Sequence, residues 1–301
     1  MATLGLIAGS GRFPILFAES ARRAGHRVVA TAHVNQTSPE LAQAVDALTW
    51  VRLGEFGKVA AALRDGGARE TVMLGGIAKA RFFRDAWLDG DTTFGEGNRV
   101  FPHACIGQIP QDLKYRGEKT KLVIGDGNQF REFCTAHIGT AGGGGVTRIG
   151  SGCLFMANSH VAHDCDVGDG CILANSVALA GHVTLEDHAI LGGLSGVHQF
   201  TRIGRFVFAA GGSLIVQDVA PYCMVQGDRA ALAGLNVTGL VRGGFAEEQV
   251  ARVKDAYKVV FRQKLGLKEA CAQLRAQYAG EPEIDHLVRF LDGVGDRGLV
   301  R

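Results

Sequence analysis

Between Ile149 and Ile215 an apolar residue recurs at every sixth position: Ile149, Phe155, Val161, Val167, Leu173, Leu179, Leu185, Leu191, Val197, Ile203, Ala209 and Ile215. Two positions before each stands a small or β-branched residue, from Thr147, Cys153 and Ser159 to Val207 and Ser213. The same frame fits Phe94, Val100 and Ile106, and again Ile124, Phe130 and Ala136, with inserts between. A helix repeats at 3.6 and a strand at 2, so a period of six belongs to neither alone. It predicts short strands joined by tight corners, wound into a prism whose interior takes one aliphatic side chain per face. Stacked coils then pair each backbone with the coils above and below, and small residues fit the crowded places near each corner. With three faces per coil, rank returns at every third repeat. His163 therefore falls in register with Gly181 and Gln199, and Asp164 with His182.

The flanks follow other periods. Residues 1–82 alternate apolar strand signals ("LGLIAG", "HRVVATAH", "WVRLG", "TVMLGGI") with helical runs at Pro14–Ala24, near Pro39–Val45 and at Lys58–Leu63. That alternation predicts a small α/β unit on a parallel sheet. Residues 83–90 form a junction, 91–228 the repeat, and 229–301 a helical segment. In the last, Val250, Val253, Ala256 and Tyr257 share one stripe, Gly266 marks a helix end, and "EIDHLVRFLDG" forms a further helix.

Composition narrows the class. The 301 residues are 47% hydrophobic and carry a net charge of +2, which predicts a globular protein and no nucleic-acid partner. The N-terminus lacks the basic start of a secretory signal. No apolar run reaches the roughly 18 residues that a membrane span needs, so a cytoplasmic protein is expected. Glycine, at 43 residues, is concentrated in the repeat. Seven cysteines without a CxxC pair read as reduced thiols used as small apolar side chains.

Two stretches invite chemistry. "MANSHVAHDC" (156–165) offers a metal site, a catalytic base with its helper, or packing. Zinc asks for three or four converging ligands. Here His160 precedes the core residue Val161, His163 follows it, and Cys165 belongs to the packed small-residue series. His163 and Asp164 lie in corner territory, where both can point outward. In "GLIAGSGRFP", Gly9 and Gly11 follow a strand and precede a helix, but Pro14 stands where the third glycine of a dinucleotide loop belongs. By its residues that stretch reads as a structural turn.

"GEGNRVFPHACIGQIPQDLKYRGE", "NSHVAHDCDVGDGCILAN", "GVHQFTRIG" and the terminal "RGLVR" resemble the UDP-N-acetylglucosamine 3-O-acyltransferase family of lipid A synthesis, over about residues 91–301. The resemblance implies a left-handed parallel β-helix with a C-terminal α-helical domain, a homotrimer, and active sites between subunits. It further implies a 3-hydroxyacyl donor on acyl carrier protein, UDP-N-acetylglucosamine as acceptor, and no cofactor, metal or CoA. "GLIAGSGRFPILFAESARRAGH" and "VMLGGIAKARFF" resemble the N-terminal domain of the LpxI-type UDP-2,3-diacylglucosamine pyrophosphatase, which implies a remnant uridine-nucleotide site as the other reading of the glycine turn. The hydrolytic half of that enzyme and the first coils of the acyltransferase have no counterpart, so the chain reads as a junction of two partial enzymes.

Acyl transfer to a sugar hydroxyl needs a base of pKa near 7, a carboxylate to orient it and an N–H for the oxyanion. By resemblance these are His163, Asp164 and Gly181. Asp112, Lys114, His182, His198 and Gln199 match positions lining the donor and sugar site, Gly211 the floor of the acyl site, and Asn236 and Arg242 the nucleotide end. Ile138, Val241 and Gly243 depart from the family's basic residues. The rival expectations are a catalytically impaired trimeric scaffold and a remnant of a UDP-sugar lipid pyrophosphatase.

Overall fold

A computed structural model describes residues 2–52, 54–76 and 91–301; the junction expected at 83–90 lies outside them. The chain divides into two units, 1–88 and 89–301, each described here by itself.

The first unit runs β1 (Thr3–Ala8), α1 (Phe13–Arg23), β2 (Arg27–His33), α2 (Leu41–Ala44), β3 (Ala47–Val51), α3 (Phe56–Asp65) and β4 (Glu70–Leu74). Its four strands are all parallel, in the order β3-β2-β1-β4. β2 is buried at every residue after Arg27, as a strand covered on both faces must be, and it is accordingly rich in small and β-branched residues. One face packs Leu6, Ala8, Val28 and Ala30 against Ala18, Ala21 and Leu41. The other packs Val29 and Val51 against Val59 and Leu63. The glycine-rich turn after β1 is tied to the end of β4. The Gly9 N–H donates to the Leu74 carbonyl at 2.8 Å and the Ser10 N–H to the Gly76 carbonyl at 2.6 Å. A Cβ on Gly9 would meet the Gly76 carbonyl at 2.5 Å, so glycine serves close approach there.

The second unit is the prism. Strands of two to four residues stack in three parallel ladders, each coil in register with the next: Val161 with Leu179, Leu179 with Val197, Val197 with Ile215. The register resumes across the inserts, with Phe94 opposite Ile124 and Ile106 opposite Ala136. All twelve residues of the apolar series from Ile149 to Ile215 are buried, and so are all twelve of the small series from Thr147 to Ser213. In the first coil Phe94 and Val100 are only half-buried. Six cysteines are buried, and burial pushes the Cys165 thiol up to about 12. Cys105 departs from the expectation and is exposed, because it precedes its core residue Ile106 by one position and its side chain takes the opposite face.

The corners carry the unusual backbone. Asn158, Asp164, Ser176, His182, His188, Leu194, Phe200 and Phe206 all have φ between 54° and 63°. For side chains other than Asn, Asp or His this left-handed conformation costs on the order of 1 kcal/mol each. Hydrogen bonding offsets the cost. The corner N–H donates to a carbonyl one coil back in Asn158, Ser176, His182, His188, Leu194, Phe200 and Phe206, at 2.7–3.3 Å. Asp164 is the exception: its N–H goes to the Thr147 hydroxyl at 2.7 Å, next to the glycine-rich insert at 139–145.

Helices Val237–Arg242, Glu247–Phe261, Leu267–Gln277 and Pro282–Asp292 end the chain. The second of them buries Val250, Val253, Ala256, Val259 and Val260, while Tyr257 is only half-buried. Gly266 is the N-cap of the helix Leu267–Gln277 and not a C-terminal stop; the left-handed break falls at Lys264 (φ 57°). The last helix docks on the prism through the Tyr222 hydroxyl, which donates to the Glu283 carbonyl at 3.0 Å, and through His286 Nε2, 2.8 Å from Glu186 Oε2. The tail beyond it pairs with Asp218, whose N–H donates to Gly298 while its carbonyl accepts from Val300. No helix among the described residues is long and apolar enough to cross a membrane.

Candidate active site

The corner that follows Val161 gathers the reactive groups. His163 Nδ1 lies 2.8 Å from Asp164 Oδ2, and the two side chains are 16% and 1% exposed. A carboxylate only accepts, so Nδ1 carries a proton, and in the neutral ring Nε2 keeps its lone pair. The Thr140 N–H donates to Asp164 Oδ1 at 2.8 Å and the Thr140 hydroxyl to Oδ2 at 2.6 Å. The carboxylate is thus buried, held at both oxygens and aimed at the imidazole.

Gly181 stands one coil further on. A Cβ there would lie 2.6 Å from His163 Cε1 and 2.8 Å from Nε2, so only glycine lets the ring pack against the backbone. No hydrogen bond among the described residues takes the Gly181 N–H. His182 sits edge-on to His163, with centroids 5.1 Å apart, and stacks on Phe200 at 4.4 Å. Burial lowers the His182 pKa, with the charge of His163 acting the same way and Asp164 and Asp112 opposing. Asp112, on the 109–120 insert, lies near enough for its charge to act on His182.

His163, Asp164 and His182 also present ligand atoms within 4.8 Å of one another. Both Asp164 oxygens are already engaged by Thr140 and His163, which makes the set a hydrogen-bonded dyad with a neighbouring ring better than a cation cage.

The remaining expected residues are spread out. Lys114 is exposed, its N–H donating to Asp112 Oδ1 at 2.9 Å. His198 and Gln199 are exposed one coil above Gly181, and His198 Nδ1 lies 3.1 Å from the Gln199 carbonyl oxygen. Gly211 occupies a different corner, in the rank of Gly193. Asn236 is buried by the third corner: its Nδ2 donates to the Phe206 carbonyl at 2.9 Å and its Oδ1 accepts the Gly239 N–H at 2.9 Å as a helix cap. Arg242 is exposed in the last turn of that helix. One chain brings together His163, Asp164, Gly181 and His182, with Asp112 near enough for its charge to act on His182, and does not bring Gly211, Asn236 or Arg242 to them.

Sequence reasoning missed Thr140, Phe200 and His137. Phe200 was accessible, because it continues the rank of Asp164 and His182. The interruption of the period at 139–145 was the one sign of Thr140. His137 is 4% exposed, its Nδ1 unpartnered, its ring 4.9 Å from that of His160. Burial, then the nearby charges of His160 and His163, push its pKa down to about 4. The fold therefore holds it neutral. The associated stability is complete above about pH 6.5, where the unfolded chain is also neutral, and is lost as pH falls towards 4, by about 3 kcal/mol. Denaturant unfolding between pH 7 and pH 4 checks this: His137→Gln should show a shallower fall than wild type by about that amount, and parallel curves would refute it.

A prism of six-residue repeats bearing a corner histidine–carboxylate dyad defines a hexapeptide-repeat transferase, and residues 147–181 match the bacterial transferase hexapeptide model. Residues 218–300 match domain 2 of UDP-N-acetylglucosamine O-acyltransferase, and residues 3–94 the LpxI N-terminal domain. Acyl-[acyl-carrier-protein]–UDP-N-acetylglucosamine O-acyltransferase of Anaeromyxobacter sp. (strain Fw109-5) is 61% identical over 71% of this chain and 83% of its own. That of Myxococcus xanthus is 58% identical over 70% and 82%. The crystal structure of the Moraxella catarrhalis enzyme superposes with a TM-score of 0.69 at 34% identity, covering 100% of this chain and 98% of its own. The chain belongs to the UDP-N-acetylglucosamine O-acyltransferase (LpxA) family, and the expected parallel β-helix with C-terminal helices is the family's fold.

Proposed function

We propose that this protein is a cytoplasmic acyltransferase that moves a 3-hydroxyacyl group from acyl carrier protein to the 3-hydroxyl of UDP-N-acetylglucosamine, the first step of lipid A synthesis. The observation that carries the reading is the His163–Asp164 dyad packed on Gly181, whose N–H no described group takes, in a chain 61% identical to an acyltransferase of that name. His163 Nε2 takes the proton of the sugar 3-hydroxyl as its oxygen attacks the thioester carbonyl. Asp164 holds the imidazole and stabilises the imidazolium. The Gly181 N–H donates to the carbonyl oxygen as it gains negative charge. When the tetrahedral species collapses, the C–S bond breaks and the departing thiolate takes the proton back from Nε2. The chemistry calls for no cofactor.

Asp112, Lys114, His182, His198 and Gln199 line the donor and sugar region, Gly211 forms the floor of the acyl site, and Asn236 and Arg242 serve the nucleotide end. One chain distributes these groups over its three corners. A homotrimer accounts for that distribution, since a neighbour's corner can complete the site that His163 begins. Sedimentation at micromolar concentration should give a trimer, and a monomer alone would count against shared sites. Mass-spectrometric assay with UDP-N-acetylglucosamine and 3-hydroxyacyl carrier protein should detect the acylated nucleotide sugar. A trimer that makes none is a scaffold.

A further inference from the structure

The insert at 139–145 breaks the six-residue frame one coil before the dyad, and its contacts give the break a use. The Thr140 hydroxyl accepts the Gly143 N–H at 3.2 Å. With that lone pair engaged, its own proton is directed to Asp164 Oδ2, 2.6 Å away, the same oxygen that accepts from His163 Nδ1. The Thr140 N–H holds Oδ1. Gly143 leaves room for this arrangement, because a Cβ there would overlap the Asp164 carboxylate, and Gly139 would place one 2.8 Å from Oδ1. Asp164 meanwhile lacks the carbonyl partner that other corner amides have and is anchored by the Thr147 hydroxyl instead.

We infer that Thr140 is a positioning residue of the acyl-transfer site. By holding the buried Asp164 carboxylate in one orientation, it keeps the His163 Nδ1–H bound and Nε2 directed outward as the base. The inference rests on the proposed reaction for its kinetic consequences, though not for the geometry itself. Without the hydroxyl, the carboxylate in the left-handed corner is held by Thr140 at Oδ1 alone and is freer to turn about its side-chain torsions. The imidazole can then populate the other tautomer or swing away, which costs turnover without altering the surfaces that bind substrate.

Thr140→Val keeps the β-branched shape and the backbone N–H but removes the hydroxyl. Hydrogen bonds to charged groups are worth enough to predict a fall in kcat of about tenfold to a hundredfold, with KM within about twofold. Thr140→Ser, which restores the hydroxyl, should recover most of the rate. In an Asp164→Ala background the Thr140→Val change should have no further effect, because Thr140 acts through Asp164. A role confined to loop stability would persist in that background.

The histidine nitrogen spectrum of isotope-labelled protein reads the geometry without turnover. Wild type and Thr140→Ser should show His163 in the Nδ1–H tautomer alone, and Thr140→Val a mixture. A wild type that makes no product but shows this pattern would overturn the proposed function and leave the positioning role standing. An unchanged His163 signal in Thr140→Val would overturn the positioning role, whatever the activity.

Discussion

Replacing His163 with alanine lowers acyl transfer by about 100- to 10,000-fold, the range lost with a positioned general base, and leaves the prism folded. The two halves of that expectation have separate causes. The ring is mostly covered and packs on Gly181 and beside His182, but it lies outside the apolar stack that holds the coils together, so its loss removes little core area. The rate falls because no other group among the described residues packs on Gly181 with a lone pair held in place by a buried carboxylate. Asp164→Ala should be milder, since the imidazole still accepts a proton with poorer orientation, and His160→Ala milder again. His160 Nδ1 lies 2.6 Å from the Thr135 hydroxyl oxygen and has no carboxylate partner among the described residues. A metal mechanism through His163, Asp164 and His182 would give another pattern: His182→Ala as damaging as His163→Ala, and inhibition of wild type by a chelator. Near-normal turnover of purified His163→Ala would sink the proposed chemistry while leaving the family assignment untouched.

Phe155→Ala should destabilise the fold by about 3–5 kcal/mol, the usual cost of emptying a fully buried aromatic site. Phe155 and Phe130 are each 1% exposed and stack in consecutive coils, with centroids 4.7 Å apart and ring planes within 1°. Phe94 meets Phe130 edge-on at 6.5 Å. Truncation removes both the buried area and the ring contact, and short strands pinned by the ladders above and below cannot close the gap. Phe155→Leu, which keeps a large apolar group, should lose less than half as much. Denaturant midpoints compared at one protein concentration read this directly, since association adds to apparent stability. A loss below about 1 kcal/mol for Phe155→Ala would show that the coils relax around the cavity.

The repeat was legible because one physical constraint acts at every coil. The prism admits one inward side chain per face, so Ile149 to Ile215 had to be apolar at every sixth place, and the crowded neighbours from Thr147 to Ser213 had to be small. The same regularity put Gly181 beside His163 and His182 beside Asp164 before any coordinates. Where local rules misled, a tertiary demand had overridden them. Gly266 suggested a helix end by its type, yet Lys264 takes the left-handed turn and Gly266 starts the next helix. Cys105 was grouped with the packed thiols by composition, but its strand turns it outward.

By itself, then, the sequence determined the coil frame and the rank on which the dyad stands, because burial imposes a period that can be counted along the chain. Only the tertiary structure decided what makes the dyad a dyad. Thr140 reaches Asp164 from 24 residues away across an insert that breaks the frame, so no period reports the contact. The left-handed corner turns His163 and Asp164 toward each other, although neighbours on a straight strand would point apart. Nor does any pattern along the chain say that Asn236, which lies beyond the repeat, packs by another corner than His163. That follows from how the chain folds back after the last coil, where the Asn236 side chain donates to the Phe206 carbonyl.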